Sequence, residues 1–142
     1  MQRWFWLFIV VCGVVAGANL AVDGAVWVAV PLTAASAWVG WWMFPWRGGG
    51  ATHRHVRDLP ADERVVVVYW RPGCRYCSRL KSELRHVRDR VHWINVWRDA
   101  EASRFVREAN GGNEVVPTVV IDGVTVTNPD PADVRERLER AA

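Results

Sequence analysis

The sequence predicts an α/β domain with a four-stranded mixed sheet and helices on both faces, preceded by a transmembrane helical hairpin. Three observations predict it. Residues 4–46 hold one acidic or basic side chain, Asp23; a β-branched run at 64–70 leads directly into a helical stripe; and Asp122-Gly123 separates two short alternating runs. The chain has 142 residues, enough for one small domain plus a membrane segment. Its net charge of +3 is spread over helices that also carry acids, which gives no support to nucleic-acid binding.

The apolar block divides at Asp23-Gly24, a strong turn signal, into segments 4–22 and 24–46, each long enough to cross a bilayer core. A two-span hairpin sets Trp4 and Trp6 level with Trp38, Trp41, Trp42 and Trp46 as an aromatic belt, with Trp27 at the other interface. Pro31 should kink the second span. Gly13 and Gly17, continuing to Ala21, form a close-packing stripe that Ala29, Thr33 and Ala37 can meet, and Asn19 can hydrogen-bond across the hairpin. Arg3 flanks one end and Arg47, Arg54 and Arg57 the other, while the turn carries only Asp23. The positive-inside rule then places both termini in the cytoplasm, a multi-pass arrangement in the plasma membrane. A competing reading makes the first 18 residues a signal peptide ending in Ala16-Gly17-Ala18; the second span would still hold the remainder on the basic side. The expected organisation is an anchor at 1–46, a flexible Gly-rich tether at 47–63 and a folded domain at 64–142.

Within that domain, 64–70 (RVVVVYW) reads as a strand buried on both faces. Cys77, Leu80, Leu84, Val87 and Val91 give the next helix its inner stripe, and 92–97 (HWINVW) alternates as a second strand. Asp99 can cap a helix with Ala102, Phe105, Val106 and Ala109 facing inward, ending at Asn110-Gly111-Gly112. Residues 118–122 and 124–127 form a hairpin, and Asp130-Pro131 opens a last helix with Asp133 in its first turn and Val134, Leu138 and Ala141 inside. The order is βαβαββα.

The chemistry gathers at Arg71-Pro72-Gly73-Cys74-Arg75-Tyr76-Cys77. Thiol–disulfide exchange needs a thiolate, and a free cysteine is mostly protonated at neutral pH. Cys74 would lie at a helix N-terminus, where unpaired amides favour an anion, with Arg71 and Arg75 adding positive potential. Cys77, one turn on, can attack a mixed disulfide on Cys74 and resolve it. Three cysteines are too few for a disulfide framework. Other readings of the pair are a zinc site with His53 and His55, a structural disulfide, or incidental thiols on an adaptor.

Residues 64–142 resemble a glutaredoxin-type domain of the thioredoxin superfamily. The C-x-x-C motif stands at the strand–helix junction, and Val115-Val116-Pro117-Thr118-Val119 is similar to the family's cis-proline segment. Asn110-Gly111-Gly112-Asn113 before it, and Val126-Thr127-Asn128-Pro129 before the last helix, resemble the mycoredoxin branch in particular. The resemblance implies a thioredoxin-like fold and a thiol–disulfide oxidoreductase that acts on disulfide-bonded or S-thiolated client proteins. It implies Cys74 as nucleophile, Cys77 as resolver, Val116 and Pro117 as substrate-pairing positions, and Arg71, Tyr76, Thr127 and Asn128 around a small thiol. It implies no bound cofactor. Glutathione-dependent members carry a Gly-Gly plus acidic motif where this chain has Thr127-Asn128-Pro129, so mycothiol rather than glutathione is the expected co-substrate. The family places proline or glycine where Arg75 stands.

Overall fold

The computed structural model describes residues 4–44, 48 and 50–140. The chain forms two compact units, 1–47 and 48–142.

In the first unit, helix α1 (Phe5–Val22) and helix α2 (Val26–Trp42) are apolar on every face and pair antiparallel. Helix α1, at 18 residues, is long and apolar enough to cross a bilayer; α2 is shorter, at 17. The seam between them is made of small residues. A Cβ at Gly13 would collide with Ser36, one at Gly17 with Thr33, and one at Gly40 with Val10. The stripe on α2 is therefore Ala29, Thr33, Ser36 and Gly40. Ala37 and Ala21, expected in the seam, face outward, because a spacing of three or four residues carries the contact from Thr33 to Ser36 and Gly40. Asn19 does not reach across; its amide donates to the Val15 carbonyl of its own helix at 2.8 Å. Trp6 packs edge-on against Phe44, so the first turn of α1 stands level with the end of α2. Trp46 lies outside the described residues.

The second unit is built on a sheet in the order β2-β1-β3-β4. Strand β1 (Val66–Trp70) lies in the middle, wholly buried, parallel to β2 (Val91–Asn95) and antiparallel to β3 (Thr118–Ile121), which pairs in turn with β4 (Val124–Thr127). At the β3–β4 turn Asp122 and Gly123 both have positive φ, 49° and 83°, as the two-residue hairpin demands. Side chains of β1 alternate. Val67 and Tyr69 face α3 (His53–Arg57) and α5 (Ala100–Ala109), while Trp70 lies under Lys81 of α4 (Arg75–Glu83), which packs on α6 (Pro131–Arg140). Leu80, Leu84, Ile94, Val106, Val119, Val134 and Leu138 close the core. Each such burial stabilises by roughly 1.5–3 kcal/mol.

Several elements end where the pattern did not place them. Strand β1 begins at Val66, because residues 62–64 form a 3₁₀ turn. Helix α4 stops at Glu83, and residues 85–90 continue as 3₁₀ with a break at Val87. Val91 is thus the first residue of β2, where it pairs with Val66, and not the last of a helical stripe. Strand β2 ends at Asn95 because the Asn95 side chain accepts from the Trp97 N–H at 3.0 Å and turns the chain. On α5, Ala109 is exposed and Ser103 takes an inner place. Ala141 lies outside the described residues.

The largest departure is the segment expected to be a flexible tether. Residues 53–57 are helix α3, capped by the Thr52 hydroxyl, and Val56 is part of the core. Asp99 fastens this helix to α5. One carboxylate oxygen accepts from the Glu101 and Ala102 N–H groups, and the other from the His53 N–H at 2.6 Å. The His53 ring lies 2.9 Å from the Tyr69 hydroxyl and stacks on Phe105. Burial, and secondarily the charge of Asp99, push the Tyr69 phenol well above its ordinary range, so it stays protonated. His53 is therefore occupied away from the cysteines, and among the described residues no three His, Cys, Asp or Glu side chains gather as a metal site.

Candidate functional site

The C-terminal end of β1 delivers the chain to Cys74, the N-cap of α4. With extended backbone (φ −85°, ψ 112°), Cys74 turns its sulfur back over the first turn, where Sγ accepts the Cys77 N–H at 3.1 Å. A cysteine sulfur here takes the role that a serine or aspartate oxygen takes at an ordinary cap. The helix terminus thereby favours a thiolate by about 0.3–1 kcal/mol. The two cysteines are joined as a disulfide, with Cα atoms 5.3 Å apart. Their environments differ: Cys74 is half-buried, whereas Cys77 is 1% exposed in the core. An incoming disulfide meets Cys74 first, and Cys77 reaches only what Cys74 already holds.

The second wall of the site is the loop before β3. The Val116–Pro117 peptide is cis, and the Val116 carbonyl oxygen lies 3.5 Å from Cys74 Sγ. A relay of polar side chains fixes this loop. The Thr118 hydroxyl donates to the Val115 carbonyl, Asn110 donates to Thr118 Oγ1, and the Thr127 hydroxyl donates to Asn110 Oδ1. Thr127, expected beside a small thiol, thus has its hydroxyl engaged in holding the loop. Asn128, with φ 49°, donates its backbone N–H to the Pro117 carbonyl at 2.8 Å.

Between the two walls runs a groove of about 250 Å³, lined by Tyr76, Arg79 and Leu80 on one side and Pro117 and 128–131 on the other. Of the expected residues, Tyr76, Pro117 and Asn128 line it, and Cys74 and Val116 meet beside it. Arg71 does not line it. Its guanidinium lies over the Trp97 ring and 3.8 Å from the Glu114 carboxylate. Arg75 is exposed. Sequence reasoning missed Arg79 and Glu114. Arg79 is one turn from Arg75 and Tyr76 on the exposed side of the same helix, a signal that was available; Glu114 lacked one, since a lone acid in a Gly-Asn loop reads as solvated.

The groove floor is poor in amide donors. Pro129 and Pro131 have no N–H, the Asn128 N–H is taken by Pro117, and the Ala132 N–H is taken by the Asp130 carboxylate at 2.9 Å. The N-terminus of α6 is thus largely closed, and the group closing it is an anion.

The glutaredoxin family profile matches residues 66–126. A candidate glutaredoxin of Mycobacterium tuberculosis is 37% identical over 79 residues, covering 55% of this chain and 94% of its own length. Mycoredoxin 1 of Corynebacterium glutamicum is 37% identical over 78 residues, 54% of this chain and 96% of its own. Among solved structures, the holo form of glutaredoxin C1 from Populus tremula x tremuloides aligns with a TM-score of 0.46 at 23% identity, over 63% of this chain and 96% of that one.

Proposed function

The chain belongs to the glutaredoxin family and is a glutaredoxin-type thiol–disulfide oxidoreductase; on that premise we propose that it reduces mixed disulfides between proteins and mycothiol, from a membrane tether facing the cytoplasm. The N-terminus of α6 carries the choice of small thiol. Glutathione brings two carboxylates, and on the α6 side of this groove an anion finds two prolines, two amides already bonded and the Asp130 carboxylate, which leaves Arg79 of α4 as the cation in the lining. A neutral, hydroxyl-rich thiol needs none of those donors and is not repelled by Asp130. Resemblance to a protein named mycoredoxin supports the same choice.

In the proposed cycle the Cys74 thiolate attacks the small-thiol sulfur of a protein mixed disulfide. The protein leaves as its thiolate and Cys74 keeps the small thiol. A second small thiol, as thiolate, then attacks that adduct, releasing the oxidised small-thiol dimer and restoring Cys74. The alternative second step is attack by Cys77, which frees one reduced small thiol and leaves the Cys74–Cys77 disulfide; the 5.3 Å Cα separation favours it as a real branch. That branch also serves dithiol reduction of protein disulfides.

The test is a competition on the full-length chain in detergent, offering one peptide as its mycothiol and its glutathione mixed disulfide. A kcat/KM at least about tenfold higher for the mycothiol form is expected. Equal use, or preference for glutathione, overturns the assignment. The tether rests on the apolarity of α1 and α2 and on the arginines flanking them. In a Cys12→Ser background, an impermeant maleimide should label Cys74 only after cells are lysed; labelling of intact cells would put the redox unit outside.

A further inference from the structure

Glu114 stands 18% exposed at the start of the loop that carries Val116, and its two oxygens do different things. Oε2 accepts from the Ser103 hydroxyl and from Arg107 of α5, the latter at 3.2 Å. Oε1 is turned the other way, to Arg71 at 3.8 Å. Arg71 is three residues before Cys74, and its guanidinium is also laid over Trp97. The pair joins the segment that leads into Cys74 to the segment that leads into Val116, and those two segments meet where the Val116 carbonyl oxygen lies 3.5 Å from Cys74 Sγ.

We propose that Glu114 is a specificity-determining residue that holds Arg71 in an ion pair and so denies an anionic thiol substrate its counter-charge beside Cys74. The inference rests on the small-thiol reading above and deepens it. A guanidinium offers five donors in a planar fork suited to a carboxylate. With Glu114 in place, a substrate carboxylate must displace one already bound and come close to its negative charge. The α5 contacts keep Glu114 where it is: Ser103 is buried, and Arg107 donates to the Ser103 oxygen as well, at 2.8 Å. This is a second barrier to anions, separate from the closed terminus of α6.

The decisive variant is Glu114→Gln in the full-length chain, which keeps the side-chain volume and an acceptor oxygen while removing the charge. Wild type and variant are each given the glutathione and the mycothiol mixed disulfide of one peptide, and the ratio of the two kcat/KM values is read. The expected result is a roughly fivefold shift of that ratio toward glutathione, arising from a lower KM for the glutathione form. Adding Arg71→Gln should abolish the shift. A parallel fall or rise for both substrates, an unchanged ratio, or a shift that survives loss of Arg71 overturns the proposal. A wild type that prefers glutathione defeats the mycothiol reading instead, because the effect of Glu114 is measured as a change from the wild-type ratio whatever its starting value.

Discussion

Two helices point their N-termini at the same groove, and they treat negative charge in opposite ways. Helix α4 is capped by the sulfur that must become an anion: Cys74 Sγ receives the Cys77 N–H, and the residues flanking it are arginines and a glycine. Helix α6 is capped by a carboxylate, with prolines on either side, and offers the groove little to bind an anion with. The same backbone terminus is a thiolate stabiliser in one case and an anion excluder in the other. The difference lies in the capping residue and the prolines beside it: a sulfur that can become the anion at α4, and at α6 an aspartate between Pro129 and Pro131.

The largest effect comes from breaking the α4 side. Cys74→Ser keeps a side-chain acceptor at the cap, so α4 should fold as before. Turnover of mixed disulfides should nevertheless fall at least ~10³-fold, because the hydroxyl does not ionise at neutral pH. A coupled reductase assay checks it, and residual activity within tenfold of wild type would mean that another group attacks. Cys77→Ser is smaller and more informative. If the second small thiol carries the cycle, mixed-disulfide turnover stays within about threefold of wild type while reduction of intramolecular protein disulfides is lost. Loss of both would make the buried Cys77 obligatory.

The α6 side should give a change in preference and leave chemistry intact. Asp130→Asn retains a good cap but removes the charge, and adding Pro131→Ala restores an amide. Together they should raise kcat/KM for a glutathione mixed disulfide by roughly two- to fivefold. No gain in the double variant would show that the terminus does not select against anions.

How much of this was legible beforehand differs from residue to residue. The C-x-x-C junction, the capping roles of Asp99 and Asp130 and the Asp122-Gly123 hairpin were all readable, because each is a local rule satisfied within a few residues. The sheet followed from them. Helix α3 was not readable: five residues, HRHVR, with a single apolar side chain, make no period, and their helix exists because Asp99, 46 residues away in the chain, holds the His53 N–H. The break between α4 and β2 was hidden for the reverse reason. Val87 and Val91 continue a helical spacing that the parallel pairing of Val91 with Val66 overrides. The ion pair of Arg71 with Glu114 was invisible because it is a contact between two loops 43 positions apart.

A third helix terminus supplies the control for the comparison. Helix α5 is capped by Asp99 as α6 is by Asp130, but Asp99 faces α3 and the Tyr69 side of the sheet, away from the groove. Asp99→Ala removes the cap of α5 and releases the His53 N–H together, which should destabilise by about 1–2 kcal/mol. For a domain of this size that corresponds to a melting temperature lower by roughly 4–16 °C. Below the melting transition, the ratio of kcat/KM for mycothiol and glutathione substrates should stay as in the wild type. If Asp99→Ala shifted that ratio as far as the changes at Asp130 do, selection by α6 would be an effect of loosened packing and not of charge at the groove. The expected outcome, a lower melting temperature with preference intact, ties anion exclusion to the charge at the α6 terminus.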